Sequence, residues 1–256
     1  MRDVLVNVFF RLWYKVVCLV DKKSQVTFMN YGFSSKGHDI SLEPADMPNL
    51  YPAKLYNYLV TKIDISGKSL MEVGCGRGGG LSYVNRYLKP ASATGVDLND
   101  KAIEFCKRHY SQQKMNFFTG NAEMLQFENA SYDVIINVES SHRYTRFDKF
   151  LAESFRVLKP NGHLLIVDFR FRHQVELMHS QILQSGFELK THEVITPNVV
   201  EALTLSSAQT KKMISEMAPK FLHAAAGQFA GLEGTSTFNK FANGDYEYLL
   251  YVLHKN

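Results

Sequence analysis

The spacing of apolar and polar positions changes repeatedly along this chain, and each change marks an element. Between residues 4 and 20 the chain is mostly apolar, yet Asn7, Arg11 and Lys15 recur every four residues opposite Leu5, Phe9, Leu12, Trp13, Val16 and Leu19. That pattern predicts an amphipathic helix, not a signal peptide or a membrane span. Such a helix either packs on its own domain or lies at a bilayer surface, where a basic stripe beside Trp and Phe is at home. Residues 29–37 read as loop, 44–52 as a Pro-punctuated stretch and 53–62 as a helix. A short apolar strand at 69–73 ends in glycines, after which 80–88 takes helical spacing with Leu81, Val84 and Leu88 on one face. The alternation continues through a strand at 93–98, a helix at 101–109 and a strand at 115–119. Beyond these come a strand at 132–138, an amphipathic helix at 147–157, a turn at 159–162 and a strand at 163–168.

Strict alternation of strand and helix predicts parallel pairing through right-handed crossovers, with helices on both faces of the sheet. Past Arg170 the rhythm breaks into a helix at 174–184 and two more strands at 186–190 and 246–254. Between those strands, residues 197–241 are helical in character, with Met213, Met217, Phe221 and Leu222 at helix-like spacing, and are too long for a plain connection. A lid over a ligand and a helical insertion that merely covers sheet both fit. The expectation is one α/β domain over residues 1–256, Rossmann-like, with a mostly parallel seven-stranded sheet. Its parts would be an N-terminal helical or lid segment (1–62), a core (63–196 and 242–256) and a lid insertion (197–241).

Composition narrows the function more than the fold. At 256 residues, 45% hydrophobic and 21% charged, the chain has material for a single large core and no sign of global disorder. A net charge of +4 suits an anionic substrate or a membrane surface, but both signs are interspersed and no basic tract points to nucleic acid. Cys18, Cys75 and Cys106 are odd in number and widely spaced, without CxxC or Cys/His ligand spacing. This argues against a disulfide framework or a metal site and fits a reducing cytoplasm.

The chemistry begins at Gly74-Cys75-Gly76-Arg77-Gly78-Gly79, a GxGxxG sequence between a predicted strand and a predicted helix. Missing side chains there let backbone approach a ligand. Asp97 ends the next strand at the spacing expected of an acid that accepts both hydroxyl hydrogens of a ribose, although a helix cap before Lys101 is the plainer reading. Nicotinamide cofactors and S-adenosylmethionine (SAM) share this ribose logic, so these residues alone leave the two open.

The wider sequence separates them. Glu72-Val73-Gly74-Cys75-Gly76-Arg77-Gly78 resembles the E/D-x-G-x-G-x-G signature of class I SAM methyltransferases. Gly120-Asn121-Ala122-Glu123-Met124-Leu125-Gln126-Phe127 resembles their GDAExLPF loop, Tyr132-Asp133-Val134-Ile135-Ile136 their FDxVxx strand, and Arg156-Val157-Leu158-Lys159-Pro160-Asn161-Gly162 their RVLKPGG turn. Within that class the chain is most similar to the mycobacterial phthiotriol and phenolphthiotriol dimycocerosate O-methyltransferases. The glycine loop through Tyr83, Asn137-Val138-Glu139-Ser140-Ser141-His142, Phe150-Leu151-Ala152-Glu153 and Gly231-Leu232-Glu233-Gly234-Thr235 carry this second likeness.

The resemblance implies SAM as cofactor and a hydroxyl on a small hydrophobic or lipid-like molecule as acceptor. It implies that Gly74, Gly76, Asp97 and Leu98, with Asn121 and Ala122, hold the nucleoside, while Glu72, Asn137 and Glu139 line the pocket for the amino-acid end. Asn121 stands where the family has aspartate, and an amide oxygen still accepts a hydrogen bond there. Asn161 stands where the family has glycine, and Asn tolerates left-handed backbone. His142, just after the fourth strand, is the candidate general base, against the plainer reading of a hydrogen-bonded loop histidine. Glu139 would orient it or bind cofactor. Tyr31 would close over the sulfonium or simply pack beneath the first helix. Met213, Met217, Phe221, Phe229, Phe33 and Trp13 would give an acceptor pocket its apolar walls or belong to the core. The rivals are a nicotinamide oxidoreductase, an N- or C-methyltransferase and a non-catalytic SAM-binding or lipid-carrier module. Peripheral membrane contact through residues 4–20 is a further expectation, and the oligomeric state is left open.

Overall fold

A computed structural model describes Asp21 and residues 24–256. The amphipathic helix expected over 4–20, with Trp13 and Cys18, lies outside the described residues. Strands β1 (Ser69–Val73), β2 (Ser92–Asp97), β3 (Met115–Thr119), β4 (Tyr132–Val138), β5 (Leu158–Phe171), β6 (Glu188–Val194) and β7 (Tyr246–His254) form one sheet in the order β3-β2-β1-β4-β5-β7-β6. From β3 to β5 all pairings are parallel. The order reverses between β1 and β4, which places a crevice at their carboxyl ends, where ligands to open α/β sheets collect.

Strand side chains alternate between two buried layers, as a period of two requires. Leu70, Val134, Ile136, Leu165, Val167 and Leu250 face one core. That core is shared with α1 (Leu50–Val60), α2 (Gly79–Tyr83), α3 (Asp100–His109) and α6 (Thr196–Met217). Met71, Val73, Ile135, Leu164, Ile166 and Leu249 face the other, covered by α4 (Phe147–Val157) and α5 (Arg172–Leu183). Phe150 on α4 is fully buried, and trimming such a side chain to Ala costs about 3–5 kcal/mol.

The sheet is mostly parallel, as expected, and β7 is the strand that runs antiparallel to its neighbours, β5 and β6. The reason lies in the insertion before it. The chain leaves β6 at the sheet's carboxyl edge and returns there, with Ile195 N–H bonding Tyr248 O at 2.8 Å and Arg172 N–H bonding Asp245 O at 2.9 Å. A strand that starts at that edge can only run back. The insertion, α6 followed by α7 (His223–Phe229) and α8 (Ser236–Ala242), therefore lies over the edge where ligands bind.

Three local readings shift. The turn expected at 159–162 lies inside β5, as an irregularity in its pairing between Leu158 and His163, so the strand expected at 163–168 runs over Leu158–Phe171. The helix expected over 80–88 is α2 followed by a π-turn, Val84–Leu88, ended by Lys89 at φ +52°, since Pro90 disfavours helical backbone at the preceding residue. The strand expected at 186–190 begins at Glu188 and runs to Val194, because Gly186 turns the chain at φ +85° and this edge strand presents few apolar side chains to read. Asn161 adopts φ +63°, the left-handed backbone expected of it, and its N–H bonds Lys255 O at 2.8 Å.

Candidate active site

The glycine loop is shaped by close packing. Gly74 sits at φ +80°, and a Cβ there would lie 1.9 Å from Ser140 Oγ, so the loop after β1 is pressed against the loop after β4. Gly76 at φ +52° aims its N–H at Asp97 Oδ2, 2.8 Å away, while Asn99 N–H reaches Oδ1 at 2.8 Å. Each oxygen holds one backbone donor and keeps a further acceptor site, which suits two ribose hydroxyls. Burial raises the Asp97 pKa. Leu98 beside it is 57% exposed, an apolar surface left uncovered at the sheet's rim.

Asn121 is exposed, its Oδ1 accepting Glu123 N–H at 2.9 Å, and Ala122 is buried. Glu123 Oε1 in turn accepts the N–H groups of Thr145 and Arg146 at 2.7 and 3.0 Å, tying this loop to the one after β4. Arg156 of the RVLKP stretch donates to Leu125 O and Phe127 O, and Glu153 accepts Leu125 N–H. The resembled motifs are thus one physical assembly. Likewise Lys159 pairs with Asp133 at 2.9 Å, bracing the opposite edge.

Two expected cofactor residues face inward. Glu72 is fully buried; Tyr56 O–H donates to its Oε1 at 2.5 Å, and burial pushes its pKa up to about 8. Asn137 is fully buried and donates through Nδ2 to Val73 O at 2.7 Å and to Tyr144 Oη at 2.9 Å. Both brace the strand ends beneath the rim, and neither lines the large cavity above it.

That cavity, about 1130 Å³, brings together Tyr31, Glu139 and His142. Glu139 stands at φ +46°; its Oε1 accepts Tyr31 N–H at 2.6 Å and a hydrogen bond from Tyr248 O–H. Burial pushes its pKa up to about 8. Tyr31 packs edge-on against Phe241 and tilted against Phe169, with centroids 5.2 and 5.8 Å apart. His142 lies over the same Phe169, 4.4 Å between centroids, so one ring seats both expected catalytic side chains.

His142 Nδ1 is 2.7 Å from Asp168 Oδ1, and its backbone N–H donates to Asp168 Oδ2 at 2.8 Å. Asp168 also accepts Ser141 O–H at 2.6 Å and Phe169 N–H at 2.8 Å, and lies 3.1 Å from Arg170. Burial opposes its charge, but His142 and Arg170 hold its carboxyl well below the ordinary range. An ionised Asp168 fixes the proton of His142 on Nδ1 and leaves Nε2 as an acceptor, without a partner among the described residues. Burial lowers the His142 pKa against the pull of Asp168, so the ring is neutral near pH 7.

Asp168 and Arg170 are not among the residues picked from sequence. The signal was available: an acid closing an apolar strand at the carboxyl edge, as Asp97 does. The N-terminal segment was underread too. Buried Asp21 pairs with buried Arg77 at 2.8 Å, and Thr27 O accepts Gly79 N–H at 3.2 Å, so residues before α1 lie directly on the glycine loop. Of the apolar residues expected to wall an acceptor pocket, Met213, Met217 and Phe229 line the cavity. Phe33 belongs to the core, and Phe221 is 82% exposed.

A carboxylate and glycine bend at the switch point of a mostly parallel sheet, roofed by a helical insertion, define a Rossmann-like nucleoside-binding domain. The family description "Methyltransferase domain" matches residues 71–166, the span that carries the glycine loop, Asp97, Asn121 and Asp133. A phthiotriol/phenolphthiotriol dimycocerosates methyltransferase of Mycobacterium leprae is 34% identical over 96% of this chain and 92% of its own. A fatty-acid O-methyltransferase of Mycolicibacterium smegmatis is 35% identical over 83% of this chain and 78% of its own.

Solved structures share the fold at low identity. A putative sarcosine dimethylglycine methyltransferase from Galdieria sulphuraria has a TM-score of 0.72 at 14% identity, covering 89% of this chain and 93% of that one. A geranyl diphosphate methyltransferase in complex with SAM has 0.67 at 15%, covering 90% and 100%. The [4+2]-cyclase SpnF has 0.68 at 16%, covering 95% and 94%. The chain belongs to the SAM-dependent methyltransferase family, and SAM is its cofactor. The matched span includes the Asn121 loop and the Lys159 turn, which a nicotinamide enzyme leaves unexplained.

Among the described residues no helix is long and apolar enough to cross a membrane, and no cluster of three or more His, Cys, Asp or Glu is placed to hold a metal.

Proposed function

We propose that this enzyme methylates a hydroxyl of a hydrophobic, lipid-like acceptor, with His142 as general base and Asp168 as the residue that positions it. The observation that carries the proposal is the buried His142–Asp168 pair, whose second nitrogen, Nε2, has no partner among the described residues, in a side chain that borders a cavity walled by Met213, Met217 and Phe229. An alcohol hydroxyl keeps its proton far above neutral pH, so it needs a base as attack proceeds; a carboxylate acceptor does not. The relatives named for phthiotriol and for a fatty acid support an apolar acceptor.

In this reading Asp97 accepts the ribose hydroxyls beside Gly74 and Gly76, Leu98 and Ala122 flank the nucleoside, and Asn121 accepts from the adenine amino group. Glu72 and Asn137 hold the strand ends in place, and Glu139 with Tyr31 shapes the cavity around the reacting atoms. When bound, SAM supplies a methyl group already activated on a sulfonium. The chain then has three tasks. It aligns the acceptor oxygen in line, excludes water, and takes the proton onto His142 Nε2 as the oxygen–methyl bond forms and the sulfur–methyl bond breaks. The Asp168 charge stabilises the resulting imidazolium.

Residues 24–62 and 197–241 act as covers on the core, and residues 4–20 are a separate candidate for peripheral membrane contact of a cytoplasmic enzyme. Incubation with isotope-labelled SAM and a matched panel, a long-chain alcohol, a fatty acid and a long-chain amine, tests the acceptor. Labelled methyl ether is the expected product. Label only in a methyl ester or a methylamine would overturn the hydroxyl reading.

A further inference from the structure

We infer that the tip of the helical insertion, Lys220-Phe221 with Lys211 and Lys212, docks this protein on an anionic lipid surface at the mouth of the cavity. The tip is a preformed hook. Pro219 enters it, Leu222 N–H bonds Pro219 O at 2.9 Å, and His223 Nε2 meets Ala218 O at 2.8 Å, closing the turn. This closure turns successive residues in opposite directions. Met217, Ala218 and Leu222 line the cavity, whereas Phe221, between them, is 82% exposed. Leu222 also packs with Ile214, Ala226 and Phe229, which anchors the hook to the small core of the insertion.

A single exposed aromatic ring is ordinary; one held outward on the rim of an apolar cavity, next to Lys220 in the chain and on the same insertion as Lys211 and Lys212, is a different case. Lys211, Lys212 and Lys220 are all exposed, and Glu216, 3.9 Å from Lys212, is the acid that faces them from α6. The local balance favours anionic headgroups, which attract clustered lysines, while an aromatic ring enters the headgroup boundary. Lysine stems can lie along apolar surface with their ammonium groups in the headgroup layer. An acceptor with a long apolar tail is nearly insoluble in water, and a docked rim would let it pass from bilayer to cavity without crossing solvent. This last step rests on the proposed acceptor class; the docking itself does not.

Co-sedimentation with vesicles of phosphatidylcholine alone and of phosphatidylcholine with phosphatidylglycerol tests it. Wild-type protein should bind the anionic vesicles preferentially. Phe221→Ser should weaken that binding about tenfold or more, as expected for losing one aromatic ring from an apolar environment, with SAM affinity and circular dichroism unchanged. Lys211→Glu with Lys212→Glu and Lys220→Glu should remove the preference for anionic lipid. Because the sequence has one tryptophan, Trp13→Phe with Phe221→Trp gives a single reporter, whose emission should shift to the blue on adding anionic vesicles. Failure of the wild type to bind, equal binding by Phe221→Ser, or an unshifted reporter would each overturn the assignment. Binding that survives Phe221→Ser and disappears on deleting residues 1–20 would place the contact in the N-terminal segment instead. None of these readouts depends on methyl transfer, so the acceptor reading stands or falls separately.

Discussion

Replacing Asp168 with Asn tests whether His142 acts as a base and whether its tautomer matters. The carboxylate accepts from His142 Nδ1 at 2.7 Å, from Ser141 and from two backbone N–H groups, and sits 3.1 Å from the buried Arg170. An amide of the same shape keeps the packing but loses the charge that stabilises an imidazolium and that selects the Nδ1–H tautomer. General-base catalysis contributes about 10²–10⁴-fold in rate, or roughly 3–5 kcal/mol of transition-state stabilisation at 1.36 kcal/mol per decade. Turnover in Asp168→Asn should fall within that range, and in His142→Ala by a similar or larger factor, while SAM affinity measured by calorimetry stays within about twofold.

The pH profile adds a signature that a structural role would lack. Protonated Nε2 cannot accept a proton, so wild-type turnover should fall as pH drops below about 6.5, where the lowered His142 pKa lies. Asp168 is what pulls that pKa upward, so Asp168→Asn should move the acid limb to still lower pH as well as lowering the plateau. Uncovering Arg170 also costs stability, about 3–5 kcal/mol for a buried ion pair that loses one partner, so assays belong below the variant's unfolding temperature. Unchanged turnover in His142→Ala, with the protein folded and SAM bound, would refute the base assignment outright.

Asp97→Ala removes the acceptor for two ribose hydroxyls; at about 1.5–3 kcal/mol for each charge-assisted hydrogen bond, SAM affinity by calorimetry should fall by about 10²–10⁴-fold. Gly80→Ala sets a Cβ 1.8 Å from the ring of Tyr56, which Glu72 pins, so the variant should unfold at lower temperature, and adding Tyr56→Leu should recover part of the loss. Glu72 keeps its proton up to about pH 8 when folded but loses it near pH 4.5 when unfolded. Its stabilising contribution is therefore complete below about pH 4.5 and is lost as pH rises through about 8, so thermal melts at about pH 5 and about pH 9 should show Glu72→Gln losing less stability than wild type. Glu139 titrates in the same window and should leave part of that slope in place.

Most of the sheet was legible because its strands are apolar runs bounded by turn residues, and the strands 69–73, 115–119, 132–138 and 246–254 have the bounds expected of them. What periodicity could not carry was direction. Nothing in Tyr246–His254 says whether it pairs parallel or antiparallel; that follows from where the insertion begins and ends, which is a property of the whole chain. The edge strand was misplaced for a related reason, since Thr191, His192 and Glu193 are polar residues in strand backbone and the apolar signal stops at Leu189.

The site divides along the same line. Residues whose role depends on backbone shape or on standing at a strand end were readable, because a glycine bend and an acid after an apolar run have few other uses. Residues whose role depends on a partner far along the chain were readable only in part. His142 stands out in the sequence as a candidate, but its neighbour in space, Asp168, is twenty-six positions away and comes beside it only when β4 and β5 pair and bring Asn137 beside Ile166 and Val138 beside Val167. Glu72 illustrates the converse. Its place in the motif suggested a hand on the cofactor, yet its carboxyl is closed off beneath the loop by Tyr56, a residue of a helix that precedes the sheet. A motif therefore marks residues that travel together, and only the packing separates those that touch a ligand from those that hold the first group still. The His142–Asp168 pair is where both kinds meet: one nitrogen held by a buried carboxylate that four other chain contacts fix in place, and the other without a partner among the described residues.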